Sequence, residues 1–131
     1  MRQIPQWAQE LTLNALEYWE SKGNQIPLFD IRWRHGTYIR SSGTAHTITE
    51  WHGQTYPRYI VITAGKDRTD AKLVLLHEIA HQLTPDRESH GSTFWGIAWE
   101  LYRHFKLPIR YCLKRERNYR KGAVVAYYKS K

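Results

Sequence analysis

Cysteine is nearly absent from this 131-residue chain, where Cys112 stands alone. One thiol cannot close an internal disulfide or build a cysteine-based zinc ribbon. Long apolar runs are missing as well. No stretch of about 18 apolar residues indicates a membrane span. The opening MRQIPQWAQELTLNAL alternates polar and apolar residues and lacks the apolar core of a signal peptide. No internal repeat, low-complexity segment or dividing linker is visible. These absences lead to the expectation of a single domain over residues 1–131 in a reducing, cytoplasmic setting. A hydrophobic content of 41% and an aromatic content of 14%, with six Trp and nine Tyr, argue against disorder. The length suffices to bury a core without staples.

Acidic residues are scarce in one place only. Residues 1–65 carry six Lys/Arg against five Asp/Glu, and residues 66–106 carry six of each. Residues 107–131 carry eight Lys/Arg against one acid, so this segment holds +7 of the net +8. A basic segment interleaved with Tyr111, Tyr119, Tyr127 and Tyr128 can contact phosphate backbones or another anionic partner, or can serve only as a solvated tail.

What the chain does contain is His77-Glu78-Ile79-Ala80-His81, followed nine positions later by His90-Gly91. Histidines four apart lie one above the other on a helix face, so both imidazoles can reach one zinc ion, with Glu78 beside them to act on a zinc-bound water. His90 is the expected third ligand. Pro85 breaks the helix and lets the chain turn back, and projection at 3.6 residues per turn puts His90 on the apolar side of Phe94, Ala98 and Leu101. Glu100 is the competing ligand, but it shares a stripe with Ile97 and His104 off the apolar face. Asp86 and Glu88 belong to a loop that reads as exposed. His35, His46, His52 and His104 are assigned surface or structural roles.

The pattern around the motif predicts an amphipathic helix over 5–21, with Trp7, Leu11, Ala15 (or Leu16), Tyr18 and Trp19 at three- and four-residue steps and a stop at Gly23. Strand-like runs follow at Leu28–Arg34, Tyr38–Arg40, Thr44–Trp51 and Tyr59–Ala64. Turns are expected at His35-Gly36, Ser42-Gly43, His52-Gly53 and Ala64-Gly65. These runs predict a small, mostly antiparallel sheet with Tyr59–Ala64 as its most buried strand. A second helix, apolar nearly all round and so expected to be buried, starts near Asp67 or Thr69 and stops before Pro85. A third follows His90-Gly91 with Ser92 as cap, and Ala123–Tyr128 reads as a last strand.

The string Leu75-Leu76-His77-Glu78-Ile79-Ala80-His81, then His90-Gly91-Ser92-Thr93-Phe94-Trp95, resembles the SprT-like zincin metallopeptidases. There an HExxH helix is followed, after a variable loop, by an HGxxF/W segment opening the next helix. The resemblance extends over residues 5–106 and implies an α+β, zincin-like fold, zinc held by His77, His81 and His90, and Glu78 as general base. Relatives include proteases of DNA-bound proteins, which would give the basic segment 107–131 a purpose. The chain departs from the many members that carry a four-cysteine zinc ribbon.

The reaction expected is hydrolysis of a protein or peptide substrate. The substrate would lie along an edge strand, and a further donor, such as a tyrosine of the C-terminal segment, would help stabilise the oxyanion. Two other readings stay open: a different HExxH zinc hydrolase such as a deformylase or amidase, and a non-enzymatic nucleic-acid-binding module with structural zinc.

Overall fold

The computed structural model describes residues 3–36, 40–47, 50–55, 57–85, 90–117 and 120–129. Its helices are α1 (Gln6–Ser21), α2 (Arg68–Leu83), α3 (Ser92–His104), α4 (Ile109–Glu116) and α5 (Arg120–Lys129). Its strands are β1 (Asp30–His35), β2 (Ser42–His46), β3 (Glu50–Trp51), β4 (Gln54–Thr55) and β5 (Tyr59–Ala64). The class is α+β, as expected. No helix among the described residues is long and apolar enough to cross a membrane.

Local chemistry explains most of the boundaries. The Asp67 carboxylate caps α2 by accepting from the Thr69 and Asp70 amides. Thr84 closes the helix, its amide and its hydroxyl both donating to the Ala80 carbonyl ahead of Pro85. As the apolar run predicts, α2 is buried on nearly every side, with only Arg68, Thr69, Lys72 and His81 reaching solvent to any degree. Helix α1 rests its Ala8, Thr12 and Ala15 line in the core. The cap of α3 is Gly91, and Ser92 is the first helical residue rather than the cap.

The sheet differs from the one expected. Its order is β1-β5-β2, with β1 parallel and β2 antiparallel to β5, so it is mixed rather than mostly antiparallel. Alternation in a sequence specifies which face of a strand is buried; it carries no information on the direction of the neighbour. Strand β5 is indeed the buried centre, with Ile60 and Ile62 fully covered. Ser42-Gly43, expected as a turn, lies inside β2. The run Thr44–Trp51 divides between β2 and the β3–β4 hairpin, whose turn, His52-Gly53, has φ of +50° and +77°, the left-handed pair of a type I′ connection. Of the run Tyr38–Arg40, Tyr38 lies outside the described residues and Arg40 is not in a strand.

Residues 107–129 depart most from expectation. Ala123–Tyr128 is helical, within α5, and α4 precedes it. Val124-Val125 favours a strand locally, but packing on α3 decides the outcome. Ala123 is buried, its carbonyl accepts from Trp99 Nε1 at 2.9 Å, and the Tyr127 carbonyl accepts from Arg103 at 3.1 Å. Trp33, Phe94, Trp95, Trp99 and Tyr102 fill the centre of the core, each worth roughly 1.5–3 kcal/mol on burial.

Strand β2 is fastened to α2 at both ends. At one end the Asp70 carboxylate accepts from the Ser41 amide. At the other, Gln82 Nε2 donates to the carbonyls of His46 (3.0 Å) and Tyr59 (3.2 Å). The middle of β2 is thereby held against the middle of α2, where the HExxH residues lie.

Candidate metal centre

His77, Glu78 and His81 occupy one stretch of α2, and His90 comes from the segment that leads into α3. The three imidazoles converge. His90 Nε2 lies 3.1 Å from His77 Nε2 and 3.3 Å from His81 Nε2, and one ligand atom from each residue falls within 4.8 Å of the others. This cluster could hold a metal ion. Aromatic rings wall it in: Phe94 stacks on His81 at 4.1 Å and meets His77 edge-on at 4.9 Å.

Other sequence candidates lie elsewhere. Glu100 accepts from Tyr18 Oη at 2.6 Å and pairs with Lys22, which makes it part of the α1–α3 contact. Those partners outweigh its partial burial and lower its pKa. His104 stacks on Tyr18 and His46 on Tyr59, while His35 and His52 are exposed. Asp86, Glu88 and Tyr119 lie outside the described residues. Tyr111 is engaged with Asp70, Tyr127 packs on Trp99, and Tyr128 is exposed. None of these three joins the cluster. Burial pushes the Cys112 thiol up to about 12, which removes thiolate chemistry from consideration.

A residue that sequence reasoning missed completes the arrangement. Glu116, the single acid of the basic C-terminal segment, is 2% exposed and lies 2.7 Å from His77 Nδ1. Tyr102 Oη donates to the same carboxylate oxygen at 2.8 Å. A signal existed: Ile109, Cys112, Leu113 and Glu116 fall at i, i+3, i+4 and i+7 after Pro108, which puts the acid on the inner stripe of a short helix. Its neighbour Arg115 also turns inward, donating from Nε to Asp70 at 2.8 Å and from Nη2 to the Ser41 carbonyl.

The charges respond to this packing. Burial raises Glu78 to about 7; the nearby His77 opposes the shift and Glu116 adds to it. Burial lowers His81 to about 3, assisted by His77 and His90. His77 shifts the other way: burial would lower it, but the hydrogen bond and charge of Glu116, with Glu78, raise it overall. Burial and the Glu116 charge hold the Tyr102 phenol well above its usual value, so it stays a donor.

Glu78 faces an open cavity of about 130 Å³ whose walls include Gly43, Val74, Arg115 and Glu116. Gly43 permits this approach of strand to helix. A Cβ there would stand 2.7 Å from Glu78 Cγ, 2.8 Å from Oε2 and 3.0 Å from Val74 Cγ1. Three nitrogen donors thus converge, and the buried Glu78 carboxyl on the same helix faces a cavity that His77, alone of the three, helps to line. No family model, curated protein or solved structure matches the chain.

Proposed function

We propose that the chain is a zinc-dependent metallopeptidase of the kind its HExxH…HGxxF signature resembles. The observation that carries this reading is the convergence of three imidazole nitrogens beside a carboxyl facing an open cavity. Two nitrogens bound to one tetrahedral zinc at about 2.0–2.1 Å stand about 3.3–3.4 Å apart. The separations of 3.1 and 3.3 Å lie close to that value. Among the described residues the cluster offers three protein donors, which suits a catalytic site with an open position better than a closed structural one.

Bound zinc supplies Lewis-acid polarisation of a carbonyl and a lowered pKa for a coordinated water. Glu78 would take a proton from the attacking water and pass it to the leaving amine. Among the described residues, strand β2 is an edge strand, paired to β5 on one side. An extended peptide can pair with its other side and so pass Glu78.

Elemental analysis of the wild type beside His90→Ala and Glu100→Ala tests the ligands. One zinc per chain is expected in the wild type and in Glu100→Ala, and none in His90→Ala. Cleavage of unfolded protein, measured beside small formylated and amidated compounds, tests the reaction. A wild type that takes up no zinc after reconstitution would overturn the reading.

Contact with nucleic acid is a second element of the proposal. Arg110, Lys114 and Arg117 fall at i, i+4 and i+7 and are exposed on the outer face of α4 and its end. Replacing all three with Ala is expected to weaken duplex DNA binding and flatten its salt dependence by roughly three phosphate contacts. Unchanged binding would remove this element.

A further inference from the structure

Glu116 raises a question of charge. A carboxylate this deeply buried is costly unless hydrogen-bonded and electrostatically compensated. Its two donors, His77 and Tyr102, provide the hydrogen bonds, and neither is a permanent cation. The nearest arginine in sequence, Arg115, gives its Nε and Nη2 to Asp70 and the Ser41 carbonyl. Glu78 adds a second carboxyl within the same walls. Two carboxyl groups on these walls favour positive charge nearby, whether on the His77 ring or on a cation that its Nε2 holds.

The geometry also selects a tautomer. In the neutral ring, donation of the Nδ1 proton to Glu116 leaves the lone pair on Nε2, the atom that lies 3.1 Å from His90 Nε2. Rotating the ring would break a 2.7 Å hydrogen bond and turn the lone pair away from the cluster. The ring is further confined by Phe94 and Trp95, both edge-on to it.

We infer that Glu116, held in turn by Tyr102, is a positioning residue of the metal centre. It fixes the tautomer and orientation of His77 and raises the basicity of that ligand. The inference rests on the zinc reading above and extends it to residues beyond 5–106, where the family resemblance ends. Helix α4 then belongs to the metal centre, and the basic segment is more than an anion-binding appendage.

The test uses the full chain and two metals. Zinc affinity is measured by competition with a chromophoric chelator, and coordination is read from the visible absorption of the cobalt(II) form. Glu116→Gln keeps the side-chain shape and an acceptor for Nδ1–H; Glu116→Ala keeps neither; Tyr102→Phe removes one hydroxyl from the carboxylate. Zinc affinity is expected to fall about 10- to 100-fold in Glu116→Ala, less in Glu116→Gln and least in Tyr102→Phe, with an altered cobalt spectrum in both Glu116 variants. Should Glu116→Ala fail to fold, the Glu116→Gln and Tyr102→Phe measurements decide. Folded variants with wild-type affinity and spectrum would overturn the positioning role and leave the zinc reading standing. A wild type that binds neither zinc nor cobalt would overturn both.

Discussion

Two buried carboxylates connect α2 to α4, and they are served in opposite ways. Asp70, near the start of α2, accepts from the Arg115 guanidinium, the Tyr111 hydroxyl and the Ser41 amide. These partners outweigh its burial and hold its pKa below the usual carboxylate range. Glu116, two turns further along the same interface, has an imidazole and a phenol instead. The first region is balanced by an arginine in direct contact; in the second the balancing ring, His77, is also one of the three imidazoles that could hold a metal ion.

This contrast can be broken most severely at Glu78. Glu78→Gln keeps the shape of the side chain and removes its proton-accepting carboxylate. Turnover of unfolded protein is expected to drop by roughly 10²–10⁴-fold, with zinc content unchanged. Wild-type turnover in this variant would exclude Glu78 as general base.

Asp70→Asn attacks the self-sufficient region. Removing one partner of a buried pair strands the other, so a loss of about 3 kcal/mol or more is expected in urea unfolding. The chelator-treated and zinc-treated forms should lose similar amounts, because the defect lies away from the His77, His81 and His90 cluster. The pH dependence follows from the lowered pKa. Asp70 stabilises the fold fully above its unfolded value of about 3.9, and that contribution disappears as pH falls through the lowered folded value. In Asp70→Asn this part of the acid sensitivity should be missing. An acid-unfolding profile identical to wild type would show that the pair contributes little.

Gly43→Ala tests the spacing between strand and helix. The added methyl collides with Glu78 and Val74, so a loss of about 1–3 kcal/mol in thermal or urea unfolding is expected. A larger proportional loss in kcat than in zinc affinity should accompany it. A stable, fully active variant would mean that β2 can shift freely. The smallest effect belongs to the exposed face of α4. Arg110→Ala, Lys114→Ala and Arg117→Ala should each stay within about 0.5 kcal/mol of wild type in urea unfolding. A larger loss would place these residues in the fold rather than on its surface.

Local signals made part of this molecule legible beforehand. The Asp67 cap and the Pro85 stop bound α2, its apolar circumference announced burial, and the strand-like run Tyr59–Ala64 ahead of Gly65 pointed to the central strand. The convergence of His77, His81 and His90 followed from helical spacing plus a turn at Pro85. The features that escaped are set by long-range packing. The parallel direction of β1 depends on where the chain crosses the sheet. The helicity of Val124-Val125 depends on α3. Glu116 escaped because a lone acid among eight basic residues reads as solvated charge, whereas its surroundings in space are His77 and Tyr102.

The double fastening of β2 has a consequence for anyone who edits this chain. Gly43 and Ala45 turn toward α2 while Ser42, Thr44 and His46 are exposed, and the tethers at Ser41 and His46 fix both ends of that alternation. A single residue inserted between them would exchange the two sets and press a side chain into the place Gly43 leaves open. The His52-Gly53 turn, exposed at the tip of a separate hairpin, has no such duty. A reporter peptide or affinity tag belongs there, and the six residues from Ser41 to His46 should be treated as having a fixed length.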